Sequence, residues 1–151
     1  MSTSYIYSMF YNLLQHLHSA LRWLVLISLI YAVYDAWQKR KLKTTYDQQS
    51  RKPSFYAFIL THTQLLVGLL LYSITPRFQF ISGMMKDHVM RFFAVEHPMM
   101  MLISIVLITI GYIKGKKAGC FGTIFWFYLI ALMLILICIP WPFYNYNTHW
   151  I

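Results

Sequence analysis

The chain contains 151 residues, of which 59% are apolar and only 11% are charged, and its formal net charge at pH 7 is +9. A typical soluble domain is about 45–50% apolar and about 25% charged, so this composition excludes an ordinary soluble globular protein. The sequence also lacks a C-x-x-C pair, a phosphate-cradling glycine loop, a nucleophile elbow and a nucleic-acid motif. It therefore carries no signal for the chemistry of soluble enzymes.

Four apolar segments follow one another along the chain. Each is close to the ~20 residues that an α-helix needs to cross the hydrocarbon core, and none alternates with the period of a β-strand. The segments comprise residues 12–37, 55–74, 91–113 and 121–141. Because lipid leaves only helices and closed barrels as ways to satisfy the backbone, we expect an all-α membrane protein. The sequence predicts a four-helix, up-down transmembrane bundle that forms one domain over residues 1–151.

The basic residues of the connecting segments predict the orientation of the bundle. Loops 38–54 and 114–120 together hold nine Lys and Arg residues. Around loop 75–90 there are three, namely Arg77, Lys86 and Arg91. By the positive-inside rule, loops 38–54 and 114–120 are cytoplasmic, whereas loop 75–90 and both termini face the periplasm of a bacterial inner membrane. The basic clusters then serve topology and contact anionic headgroups, so we expect a lipid bilayer and no nucleic acid as the partner.

Ionisable side chains within the predicted spans mark the candidate site, because such groups are costly in lipid and usually face the bundle interior. In the first span, His18 and Arg22 are four residues apart and share one helix face, whereas His16 points elsewhere. The remaining candidates are His62 in the second span and Arg91, Glu96 and His97 in the third. If the first and third helices extend beyond the membrane on the outer side, the three inward-facing histidines converge at one level.

Neutral imidazoles on facing helices are the axial ligands of b-type haem iron. We therefore expect two of His18, His62 and His97 to hold one haem b, with its propionates directed outward to Arg22 or Arg91. The fourth span, TIFWFYLIALMLILICIP, has no histidine. One haem with two histidine ligands is accordingly the most that the spans can hold.

The third span contains a proline directly after its histidine. Within a helix, Pro98 removes a backbone hydrogen bond and clashes with the carbonyl of Ala94, so the sequence predicts a kink at Glu96–His97. Such a kink opens space for a ligand. A histidine not used by iron is available to line a quinone pocket, where Glu96 accepts the proton released on quinol oxidation.

Three segments of the chain resemble a known group of membrane proteins. HLHSALRW, THTQLLVGLLLY and RFFAVEHPMMM are similar to segments of small four-helix proteins, mainly of Bacteroidetes-type bacteria, that are usually labelled cytochrome b-like. The portion with Gln64 and residues 66–68 also resembles one helix of haem A synthase, a haem-binding membrane protein. The first resemblance covers most of the chain and implies a four-helix haem protein, and the second adds Gln64 to the candidate cofactor contacts.

The function that these features predict is electron transfer by a cytochrome b-like protein, an oxidoreductase component that links a quinol to a partner on the periplasmic side. One alternative is a non-catalytic structural or assembly subunit of a larger respiratory complex, or a homo-oligomer, in which the polar groups only join helices. A second alternative is copper handling on the outer face, since soft thioethers favour Cu(I). Its candidate ligands are Met84, Met85, Met90, Met99, Met100, Met101 and His88.

Overall fold

Within residues 3–75 and 84–141, the part of the chain that the computed structural model describes, all regular structure is helical. The α-helices are Thr3–Lys41 (α1), Lys52–Ile74 (α2), His88–Arg91 (α3), His97–Ala118 (α4) and Phe121–Cys138 (α5). A 3-10 turn at Met84–Lys86 precedes α3, and a π-helical turn at Phe92–Glu96 joins α3 to α4.

Four helical segments are long and apolar enough to cross a membrane: Tyr5–Lys41, Lys52–Ile74, His88–Ala118 and Phe121–Cys138. The chain is therefore a multi-pass membrane protein, and the predicted all-α bundle of four spans is confirmed. Residues 76–83 of the predicted loop 75–90, with Arg77, lie outside the described residues, as does the C-terminal segment 142–151. The predicted orientation in the membrane stays a prediction.

Two helix ends differ from the predicted boundaries for local reasons. The first helix continues four residues beyond residue 37, to Lys41, and its last turn contains Lys39, Arg40 and Lys41. Cations are favourable there because the helix dipole is negative at its C-terminus. At the other end of the chain, α5 stops at Cys138, three residues before the predicted end. Ile139 is extended (φ −71°, ψ 132°) because a residue that precedes a proline avoids the helical conformation.

The first helix is much longer than the membrane is thick. Its 39 residues measure ~58 Å at the α-helical rise, compared with about 30 Å for the hydrocarbon core. The additional turns lie at the N-terminus, where Tyr5, Tyr7 and Phe10 are exposed. The Tyr7 hydroxyl donates to the backbone oxygen of Ile74, the last residue of α2. The first helix is therefore longer than one membrane crossing requires.

The two ends of the bundle differ in charge. The C-termini of α1 and α4 and the N-termini of α2 and α5 meet at what we call the basic end, which comprises residues 39–52 and 114–120. There the Lys39 ammonium donates to a carboxylate oxygen of Asp35 at 2.7 Å and to the backbone oxygen of Ser50 at 2.5 Å. These bonds fasten the first loop to α1.

The core forms where α1, α2, α4 and α5 pack around one another, each against two neighbours. Its completely buried side chains are Leu29, Ala32, Ala36, Ala57, Ile108, Ile124, Tyr128 and Ala131. The Tyr128 hydroxyl donates to the backbone oxygen of Ser54 at 2.9 Å and so joins α5 to α2. Glycine lets α4 approach α5, since a Cβ atom at Gly111 would lie only 2.5 Å from Cβ of Phe127.

We expect Gly111→Ala to lower the free energy of unfolding by about 1–3 kcal/mol, because an added methyl group there forces α4 and α5 apart. Gly122→Ala is the matched control: a Cβ atom at Gly122 meets no atom closer than 3.8 Å. Thermal unfolding of the purified variants in mild detergent measures the difference. Equal melting temperatures for the two variants would show that close contact at Gly111 does not limit stability.

Candidate functional site

The structure brings together the histidines of the first and third spans. The ring centroids of His18 and His97 lie 6.4 Å apart, and the ring planes are inclined by 73°. His18 belongs to α1, and His97 is the first residue of α4. Two imidazoles that bind one metal ion from opposite sides, each with its nitrogen about 2.1 Å from the metal, have ring centroids roughly 6–6.5 Å apart. The observed separation falls within that range.

A backbone carbonyl holds the imidazole of His97. Nδ1 of His97 lies 2.9 Å from the backbone oxygen of Cys138, the last residue of α5. The last carbonyls of a helix have no partner within it, so this oxygen is available as an acceptor. Because a carbonyl only accepts, Nδ1 carries the hydrogen, and Nε2 of the neutral ring keeps its lone pair. Metal-binding histidines are usually oriented by a hydrogen bond of this kind.

The other imidazole rests against α2. A Cβ atom at Gly68 would lie 3.3 Å from Cε1 and 3.6 Å from Nδ1 of His18, so the glycine leaves space that a side chain would fill. Nδ1 of His18 is buried and has no hydrogen-bond partner among the described residues. One turn before Gly68, the Gln64 amide donates to the backbone oxygen of His18 at 2.9 Å. The α2 helix therefore fixes the position of His18 and leaves a ring nitrogen unsatisfied.

An irregular turn positions His97. The backbone N–H of His97 donates to the carbonyl of Phe92, five residues earlier, which closes the π-helical turn. The carbonyl of Ala94 cannot receive a helical bond from Pro98, which has no N–H. The Tyr72 hydroxyl of α2 donates to this carbonyl instead, at 3.1 Å. The helix therefore widens before His97, and Pro98 falls in the first turn of α4; the predicted kink at Glu96–His97 stays a prediction.

The third candidate histidine lies elsewhere. Nδ1 of His62 is 2.8 Å from the carbonyl of Phe58, and Nε2 is 3.2 Å from the hydroxyl of Thr109 on α4. His62 precedes Gly68 by six residues, or ~9 Å of helix rise, in the direction of the basic end. The predicted convergence of three histidines is thus observed for two. With both ring nitrogens engaged, His62 joins α2 to α4.

Two of the residues predicted to contact the cofactor, Arg91 and Glu96, form an ion pair with each other. Nε of Arg91 donates to a carboxylate oxygen of Glu96 at 2.7 Å, and a terminal nitrogen lies 3.3 Å from the carbonyl of Met85. The two side chains are 35% and 41% exposed, so the pair contributes about 0–1 kcal/mol to stability. Arg22 is partly buried one turn from His18, with its guanidinium 5.4 Å from the Trp23 ring.

The methionines near this end differ in their surroundings. Met85, Met90 and Met99 are exposed, whereas Met101 packs against the core. The side chain of Met84, another predicted copper ligand, lies outside the description. No group of three or more His, Cys, Asp or Glu side chains within the described ranges is arranged to hold a metal ion. A haem differs from such an ion because its porphyrin supplies four ligands, so that two histidines suffice.

The structure also shows contacts that the sequence did not predict. Tyr72 and the carbonyl of Cys138 both support His97, and Gly68 accommodates the ring of His18. The one available signal was Pro98, which leaves the carbonyl four residues before it without a donor.

Comparisons of the chain with protein-family models, with curated proteins and with solved structures found no match. The function is therefore inferred from the chemistry of these side chains.

Proposed function

We propose that the protein binds one b-type haem in the membrane and transfers single electrons, with His18 and His97 as the two axial ligands. The observation that carries the proposal is the pair of imidazoles 6.4 Å apart on facing helices, one of them held by a backbone carbonyl through Nδ1. The buried, unpartnered Nδ1 of His18 and the close seat of its ring against Gly68 also support it. These are the features that a flat cofactor held by two histidines requires.

The surrounding residues take defined roles in this proposal. Bound haem supplies one-electron chemistry at its iron, and the protein supplies ligand position, burial and charge. Gln64 fixes the backbone of His18 by its hydrogen bond to the His18 carbonyl, and Gly68 leaves room for the His18 ring beside α2. Arg22 stands one turn further along α1, where its guanidinium can receive a propionate carboxylate. Arg91 forms an ion pair with Glu96 at the same end of the bundle.

The location of the pair suggests the direction of electron flow. His18 and His97 lie toward the end of the bundle opposite the basic end. If the basic end is cytoplasmic, as the positive-inside rule predicts, the pair faces the periplasm of a bacterial inner membrane. A membrane quinol is the proposed donor and a periplasmic protein the proposed acceptor. In this proposal Glu96, which is partly exposed one residue before His97, accepts a proton from the quinol.

The second candidate function is that of a structural subunit in a larger membrane complex. A centroid separation of 6.4 Å also lies within the 4.5–7 Å range of direct edge-to-face contact between rings. Histidines that merely pack against each other need no cofactor, and the bundle then offers only its apolar outer surface. The two candidates differ in whether the purified protein carries haem.

We expect the protein, produced with an adequate haem supply and purified in mild detergent, to show a reduced α-band after dithionite and about one haem per chain. His18→Ala and His97→Ala each remove an axial ligand, so the band and most of the haem should be lost. His62→Ala is the matched control and should keep both, because its ring nitrogens bind Phe58 and Thr109. Absorption spectra and haem extraction give these quantities.

Added imidazole separates a ligand role from a structural one. It should restore the band of His18→Ala or His97→Ala, since free imidazole can enter the vacated space and bind iron. A wild-type protein that folds but contains neither iron nor an α-band would refute the haem proposal and favour the structural subunit. Copper without iron in elemental analysis would instead favour copper handling.

Gly68→Ala tests the contact between α2 and His18. The new Cβ atom would lie 3.3 Å from Cε1 of the imidazole, so the ring must move by a few tenths of an ångström. We expect haem retention to fall several-fold and the α-band to shift. The free energy of unfolding without haem should not fall, because alanine favours a helix over glycine by up to about 1 kcal/mol. Unchanged haem retention in Gly68→Ala, with Gly122→Ala as control, would show that His18 does not bind haem in this position.

A further inference from the structure

A shallow groove, largely open to the outside, lies on the surface of the bundle between α1 and α5. Its volume is about 360 Å³, and it is lined by Ile30, Val33, Tyr34, Trp37, Phe125 and Leu132. Trp37 and Phe125 lie near the basic end, whereas Ile30 and Leu132 lie seven residues deeper on their helices. The groove thus begins at the basic end and extends ~10 Å toward the middle of the bundle. Its walls suit a hydrocarbon chain.

Two cations stand at the mouth of this groove. The Arg40 guanidinium lies 5.5 Å from the ring centroid of Phe125, and the Lys41 ammonium lies 3.9 Å from that of Trp37. Both rings belong to the groove. The aliphatic part of the Arg40 side chain passes beside α5. A Cβ atom at Gly122 would lie 3.8 Å from Cδ of Arg40. Aromatic faces hold the two charges in place without neutralising them.

The acidic side chains of the described chain are engaged elsewhere. Asp35 pairs with Lys39 and Glu96 with Arg91. Asp47 accepts from the backbone N–H of Ser50, and Asp87 caps α3 by accepting from that of Met90. Arg40 and Lys41 therefore keep a net charge of two at the groove mouth, in the region where lipid headgroups lie.

We propose that this groove is a binding site for an anionic phospholipid, with one acyl chain between α1 and α5 and the phosphate between Arg40 and Lys41. Basic pockets between transmembrane helices recognise anionic headgroups in this way. A second copy of the chain fits less well, because parallel copies joined symmetrically through the groove bring their four cations to the same level. The site is independent of the proposed haem.

Lipid retention tests the proposal. The purified full-length protein is mixed with phosphatidylglycerol or phosphatidylcholine in detergent, and native mass spectrometry counts the lipids that remain bound. We expect wild type to retain phosphatidylglycerol preferentially. The double variant Arg40→Gln/Lys41→Gln should reduce that retention roughly tenfold or more. Lys114→Gln/Lys116→Gln is the matched control: it removes two charges at the same end, away from the groove, and should retain the lipid like wild type.

Two further measurements address the groove itself. Val33→Phe narrows the groove and should weaken phosphatidylglycerol retention while its circular dichroism stays helical. Inorganic phosphate has the charge but no acyl chain, and it should not displace the lipid at millimolar concentration. Equal retention of both lipids, an equal loss in the Lys114→Gln/Lys116→Gln control, or displacement by phosphate would each overturn the proposal. A dimer that Val33→Phe dissociates would assign the groove to a second copy instead.

Discussion

Hydrocarbon provides no hydrogen-bond partners, so each polar atom within the spans depends on another part of the same bundle. The structure meets this constraint in part with a few long-range bonds to backbone carbonyls, while Nδ1 of His18 has no hydrogen-bond partner among the described residues. Tyr128 donates to the carbonyl of Ser54, Gln64 to that of His18, and Tyr72 to that of Ala94. Each bond joins two spans that are distant in sequence. Together they fix the register of the helices more tightly than interchangeable apolar contacts can.

The candidate site results from the same constraint. The proline after His97 leaves a carbonyl without a donor, and the π-helical turn and Tyr72 accommodate that loss. The widened turn brings His97 to the end of α5, where the terminal carbonyl of Cys138 receives its Nδ1 hydrogen. Functional sites are frequent at π-helical turns because the additional residue redirects side chains. Here it directs an imidazole toward α1 and His18.

Composition and hydropathy were sufficient to predict the four spans, because each is a predominantly apolar segment of membrane length. Helical periodicity also distinguished His18, which is half-buried, from the exposed His16. The depth of His62 relative to His18 and His97 could not be predicted from the sequence. It depends on where each helix begins and ends relative to its neighbours, and α1 begins earlier than predicted, at residue 3. The pairing of Glu96 with Arg91 was likewise not predicted, because it depends on the geometry of the π-helical turn between them.

The distance of the histidine pair from the basic end limits what the protein can do alone. His97 precedes Lys114 by 17 residues, which corresponds to ~25 Å of helix and most of the roughly 30 Å hydrocarbon thickness. Under the proposed function, a single redox centre there has an insulating layer on one side and the membrane surface on the other. Such a carrier exchanges electrons along one face of the membrane. Moving charge across it requires a second centre supplied by another protein.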